Sequence, residues 1–156
     1  ATDIPITNAQ SQVTAQVLRQ LGMNLDYVAT DWGTVVQRRA SREPVERGGW
    51  NLFHTWWAGF DHANPAAHLS IRGNGTGPGS WFGWPTSPRL EELREAWFVA
   101  PSEAEQARIC EEMQTVALRD LPYVPTGQFF IPFAFRRDVT GILKGPMPLF
   151  WNVARS

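Results

Sequence analysis

The chain has 156 residues, a net charge of −1, 43% hydrophobic and 19% charged residues, which suits one ordered globular domain. So small a net charge excludes the basic field that nucleic acid or an anionic membrane surface would call for. The lone cysteine, Cys110, excludes an internal disulfide and a multi-cysteine zinc site.

The chain opens Ala1-Thr2-Asp3 without an initiator Met and without a signal-peptide pattern. It therefore reads as a trimmed piece of a longer protein. Thr7-Asn8-Ala9-Gln10 has the Thr-x-x-Gln form of a capping box. Val13, Val17, Leu18 and Leu21 follow at helical spacing, and Gly22 is a natural stop. Met23, Leu25, Tyr27 and Ala29 then alternate with polar residues, which predicts a strand over 23–30. Asp31 is placed to cap a short helix holding Trp32, Val35, Val36 and Arg39. A polar stretch with Pro44, Gly48 and Gly49 breaks it.

Residues 50–57 are almost continuously apolar and predict a strand covered on both faces. Residues 60–85 read as loops, with a short helix after Pro65. Ser87-Pro88 with Glu91 and Glu92 marks a strong helix start, and Leu90, Leu93 and Trp97 supply its apolar stripe. Ser102-Glu103-Ala104-Glu105 is a second capping box, for a helix carrying Ile109, Cys110, Met113, Val116 and Ala117 and ending by Pro122. Phe129, Ile131, Phe133 and Phe135 alternate along an aromatic strand, with Pro125 and Pro132 placing it near a sheet edge or in an irregular crossover. In the tail, 145–156, Leu149-Phe150-Trp151 form an apolar patch that should dock. This order is α/β. The first helix lacks the strand that should feed it, which is expected either to lie wholly outside this chain or to survive only as its last residues, Ala1 to Ile4.

Signatures of catalysis are sparse. There is no His-Glu-x-x-His helix and no phosphate-binding Gly-x-x-x-x-Gly-Lys-Ser/Thr loop. Ser80, in Pro78-Gly79-Ser80-Trp81-Phe82, lacks the Gly-x-Ser-x-Gly elbow. His54, His62 and His68 with Asp61 are a conceivable metal set, but the six-residue step between His62 and His68 matches no common ligand spacing. The run Gly73-Asn74-Gly75-Thr76-Gly77-Pro78-Gly79 lacks a helix N-terminus directly after it, so it reads as a mobile loop rather than a phosphate cradle. Glu91, Glu92, Glu95, Glu103, Glu105, Glu111 and Glu112 read as solvated helix faces. Cys110 reads as a buried small hydrophobe.

Two aromatic clusters remain. The eight Trp and nine Phe are many for this length, and those in Gly/Pro-rich loops cannot all be core. Trp56 and Trp57 lead to Asp61, where the tryptophans would wall a ligand and the carboxylate would meet a ligand cation. The competing reading is that they cover the sheet while Asp61 caps a short helix. Trp81, Phe82 and Trp84 would form the opposite lip, or pack on the helix starting at Ser87.

Several segments in order carry a resemblance: Val17-Leu18-Arg19-Gln20-Leu21-Gly22-Met23-Asn24-Leu25-Asp26, Asp31-Trp32, the loop from Trp57 through Asp61 to Pro65, Leu121-Pro122-Tyr123-Val124-Pro125, and Arg136-Arg137-Asp138-Val139-Thr140-Gly141. Together they resemble the C-terminal lobe of the extracellular solute-binding protein family 5. These are the dipeptide, oligopeptide and nickel-type receptors of bacterial ABC importers. The resemblance implies a type II periplasmic-binding-protein-like fold, similar to domain 3 of dipeptide-binding proteins, with residues 1–156 forming a single ligand-binding lobe. It implies no catalytic residues, and on the residues themselves no cofactor or metal is expected. Implied partners are a small-molecule or peptide ligand, an N-terminal lobe outside this chain, and ABC-permease subunits at the periplasmic or extracellular face of the bacterial membrane. In peptide-binding relatives a loop carboxylate pairs with the peptide α-amino group, a role that falls on Asp61. The ligand-binding set is then Trp56, Trp57, Asp61, Trp81 and Trp84. The alternative is a Trp-rich carbohydrate-binding module, which would be all-β. An enzyme using Asp61 with His62 or His68 is a third reading.

Overall fold

In the computed structural model, residues 1–145, 147 and 149–155 are described. They form two compact units, Ala1–Trp56 and Trp57–Ser156.

The first unit holds helices α1 (Pro5–Gln20) and α2 (Trp32–Arg38). Pro5 opens α1, where its missing N–H would be unpaired anyway and its fixed φ suits the helix. Thr7 is therefore not the cap expected of it. It sits inside the first turn, fully buried, its Oγ1 donating to the Ile4 carbonyl at 3.0 Å. At the other end Gly22 adopts φ +81°, its N–H bonding to Arg19 O and the Met23 N–H to Leu18 O. These are the paired bonds of a Schellman stop.

The buried stripe of α1 is Thr7, Ser11 and Ala15, not the valines. Small side chains on that face admit close neighbours: Ser11 Oγ lies 2.8 Å from Tyr27 Oη, and Thr14 Oγ1 lies 2.9 Å from His54 Nε2. Val13, Val17 and Leu21 face outward. Asp31 caps α2 as its position predicts, Oδ1 accepting from Thr34 N–H at 3.0 Å and Oδ2 from Thr34 Oγ1 at 2.6 Å. These bonds favour the carboxylate and hold Asp31 down at about 2. Because the folded value is depressed, the cap contributes above the ordinary aspartate range and is lost as pH falls through about 2. An NMR titration of the Asp31 side-chain carbonyl should place its midpoint near 2; an ordinary aspartate midpoint would contradict the cap.

The second unit is built on α3 (Pro88–Phe98) and α4 (Glu103–Asp120), joined by residues 99–102 into a helical hairpin. Ser87 Oγ accepts from Leu90 N–H at 3.5 Å, and Ser102 Oγ from Glu105 N–H at 3.2 Å, so both predicted caps form. The Glu105 carboxylate does not complete the reciprocal box; it is taken by Arg108 at 2.7 Å. Ser87 Oγ also donates to Asp120 Oδ2 at 2.5 Å, tying the start of α3 to the end of α4. Between the helices Leu90, Leu93, Ile109, Met113 and Val116 close a core with Ile71. Cys110, on α4, is half-buried rather than buried, and burial pushes its thiol up, away from nucleophilic use.

The strand expectations fare differently. Among the described residues the hydrogen-bonded sheet is one antiparallel pair, β1 (Val139–Thr140) with β2 (Ala154–Arg155). Gly141 follows β1 at φ +74°, and a Cβ there would stand 1.9 Å from Asn152 O, so only glycine fits. The segments 23–30, 50–57 and 129–135 form no ladder among the described residues. Alternation along a sequence sets which side chains share a face. A ladder also needs the N–H and C=O groups of a neighbouring strand, and no described strand supplies them. Residues 50–57 are accordingly not covered on both faces: Leu52 and Trp56 are exposed. The helix-rich chain, with its short sheet, is mixed α and β and not the all-β form of a carbohydrate-binding module. In the tail, Phe150 and Trp151 are 76% and 82% exposed, so the patch expected to dock is open; Pro146, Pro148 and Ser156 lie outside the described residues. No helix is long and apolar enough to cross a membrane among the described residues.

Candidate functional site

The chain from Trp57 to His68 is a series of tight turns in the second unit. The Asp61 Oδ2 reaches back to accept the Ala58 N–H at 3.1 Å and closes the turn Gly59–His62. The capping role open to Asp61 is therefore present. Its Oδ1 accepts no hydrogen bond from a described residue, so the half-buried carboxylate keeps one oxygen for a further donor. Asn64-Pro65 then reverses the chain. Asn64 Oδ1 accepts from Ala66 N–H at 3.0 Å and Ala67 N–H at 3.2 Å, while its backbone carbonyl accepts from His68 N–H at 3.1 Å. In place of the expected helix after Pro65 there is this turn, followed by the single 3₁₀ turn Leu69–Ile71.

The reversal stacks His62 on His68, ring centroids 4.2 Å apart at 28°. Sequence spacing had pointed away from a joint role for these two. The signal for it was the Asn-Pro step between them, a turn initiator. No cluster of three or more His, Cys, Asp or Glu that could hold a metal occurs among the described residues.

The glycine run is not the mobile loop it resembles in sequence. Ser87 N–H donates to Gly73 O at 2.9 Å, Gly75 N–H to Pro85 O at 2.9 Å, and Asn74 pairs with Thr86. Glu91, expected on a solvated face, instead accepts from Gly73 N–H at 2.7 Å and Arg72 Nε at 3.1 Å through Oε1. A Cβ on Gly73 would sit 2.5 Å from Ser87 O, so glycine is what lets the loop lie on the start of α3. Once anchored, the loop swings Trp81 against Trp57, centroids 4.7 Å apart, with Phe82 edge-on to Trp81 at 5.0 Å. Trp84, at φ +48°, turns the chain, its N–H bonded to Trp81 O at 3.0 Å.

Trp57, Trp81 and Phe82 thus come together, with Asp61 on the turn after Trp57. Trp56 belongs to the first unit and is exposed. The first unit also has a shallow groove of about 580 Å³ along α1, lined by Gln12, Ala15, Gln16, Arg19, Gln20 and Tyr27. None of the five residues singled out as ligand-binding lines it, and its only charged wall is the Arg19 guanidinium, beside three amides, Ala15 and the Tyr27 ring. The aromatic wall, by contrast, joins large apolar area to a nearby carboxylate, the combination that ligand sites use.

Over all 156 residues the chain is 35% identical to a probable peptide ABC transporter periplasmic-binding protein of Sinorhizobium fredii (strain NBRC 101917 / NGR234). The chain is a homologue of part of a periplasmic-binding protein of ABC transporters. It covers 29% of that relative's length. No protein-family profile matches it. The solute-binding resemblance carried by the segments from Val17 to Gly141 is thereby borne out, since the matched region runs the whole length of the chain. The Trp57–Trp81 pair supplies an apolar ring surface, and Asp61, on the turn after Trp57, supplies a carboxylate.

Proposed function

We propose that this chain is one ligand-binding lobe of the substrate-binding component of a bacterial ABC importer. It works in the periplasm. It has the type II periplasmic-binding fold, similar to domain 3 of dipeptide-binding proteins, and closes with an N-terminal lobe over a peptide or similar small solute. The loaded pair then docks on the ABC permease. The observation that carries this reading is the 35% identity, spread over the whole chain, to a protein named as a peptide ABC transporter periplasmic-binding protein.

Within that lobe Trp57 and Trp81 form an apolar wall, with Trp84 supporting it and Trp56 adjacent in sequence to Trp57. Asp61 receives the solute's ammonium group through its uncommitted oxygen. Desolvation on closure strengthens that ion pair. No covalent step is involved, and the chain acts as a receptor, not an enzyme. Native mass spectrometry of the longer two-lobed protein, purified without denaturation, is expected to find one peptide or small cationic solute per molecule. A stoichiometric oligosaccharide or metal chelate in its place would overturn the peptide reading.

A further inference from the structure

A run of rings crosses the second unit: Trp81 to Trp57 at 4.7 Å, Trp57 to His62 at 5.8 Å, His62 to His68 at 4.2 Å, and His68 to Tyr123 at 5.5 Å. It links three separate stretches of chain: the anchored glycine loop, the turns that carry Asp61, and the segment leaving α4. The weak point is the imidazole pair. Neutral rings stack without penalty at this distance, whereas two imidazolium rings repel. His68 Nε2 is buried and has no hydrogen-bond partner among the described residues. An imidazolium donates from both nitrogens, so a proton on His68 would leave a buried donor unpaired.

The neighbours do not offset that charge. Asp61, on the turn of His62, favours protonation of His62 but is not among the groups acting on His68. Tyr123, from the segment after α4, is pushed up by burial and stays a neutral phenol. From α3, Arg94 donates to the Pro65 carbonyl at 3.2 Å and brings a positive charge to the same loop.

We propose that the stacked His62–His68 pair is a proton-sensitive pin. With both rings neutral it holds the Asp61 turn against the Trp57–Trp81 wall, and on protonation it lets that turn go. Burial, and then the charge of His62, hold His68 down at about 4. His62, lowered by burial but supported by Asp61, takes the first proton. Both folded values lie below the ordinary histidine value, so the unfolded loop binds protons more readily. The pin is intact above the ordinary value of 6.5 and weakens as pH falls towards about 4. This device does not depend on what Asp61 binds.

The test is tryptophan emission of this chain, followed with far-ultraviolet circular dichroism from about pH 8 to about pH 3.5. A reversible emission change is expected with its midpoint between 6.5 and about 4, while helix content stays constant. The double variant His62→Phe/His68→Phe keeps stacked rings without titration and should lose that change. Absence of the change, its persistence in the double variant, or loss of helix at the same midpoint would each overturn the pin. A variant that fails to fold leaves ring-proton NMR of the unaltered chain, where His68 titrating at the ordinary histidine value overturns it equally.

Discussion

Replacing Leu90 by Ala is expected to destabilise the second unit by about 3–5 kcal/mol, the upper part of the range for emptying a core leucine site. Leu90 has no exposed surface and sits where α3 meets α4, among Leu93, Ile109, Met113, Val116 and Ile71. Two helices held by their caps cannot shift to fill the space, because Ser87 caps α3 and is also bonded to Asp120. That cost is a large share of the 5–15 kcal/mol by which domains are typically stable. Urea unfolding followed by circular dichroism should show the midpoint fall with little change in slope. Val99, 81% exposed at the end of α3, is the control; its replacement by Ala should stay within about 0.5 kcal/mol. The consequence reaches the site. α3 carries Ser87 and Glu91, which bind Gly73 and so anchor the loop that presents Trp81. A loosened hairpin therefore frees the aromatic wall along with the core.

Replacing Asp61 by Asn in the longer two-lobed protein is expected to weaken binding of a peptide with a free α-amino group by about 30- to 1000-fold, roughly 2–4 kcal/mol. The amide keeps an acceptor for the Ala58 N–H, so the turn Gly59–His62 and the melting temperature should hold. What is removed is the charge that the proposed function sets against the ligand ammonium once closure excludes water. An N-acetylated peptide, which lacks that charge, should bind the two forms alike. Calorimetric titration of both peptides against both proteins separates the ion pair from packing against Trp57 and Trp81. Equal affinity of the two proteins for the free-amine peptide would remove Asp61 from recognition and leave it as a turn cap.

The features legible in the sequence are those decided within one or two turns of chain. Asp31, Ser87 and Ser102 cap the helices that their positions predict, because a cap bond spans only three residues. Gly22 stops α1 for the same local reason. The core stripe of α3 and α4 was readable too, since residues three and four apart share a helix face. Thr7 failed as a cap because Pro5 starts the helix earlier. The glycine run failed as a mobile loop because its partners, Ser87 and Glu91, lie beyond the reach of local reading.

By itself, then, the sequence determined the helices α1 to α4, the caps at Asp31, Ser87 and Ser102, the stop at Gly22, the aromatic excess and a family resemblance. Each of these is written in short spacings or in the order of short segments. The tertiary structure alone decided which face of α1 is buried, that 23–30, 50–57 and 129–135 pair with no described strand, and that Trp57 meets Trp81 while His62 meets His68. Those outcomes depend on backbone groups and rings brought together across turns and loops. A hydrogen bond or ring contact of that kind exists only when the second partner arrives, and the sequence around the first partner does not record it.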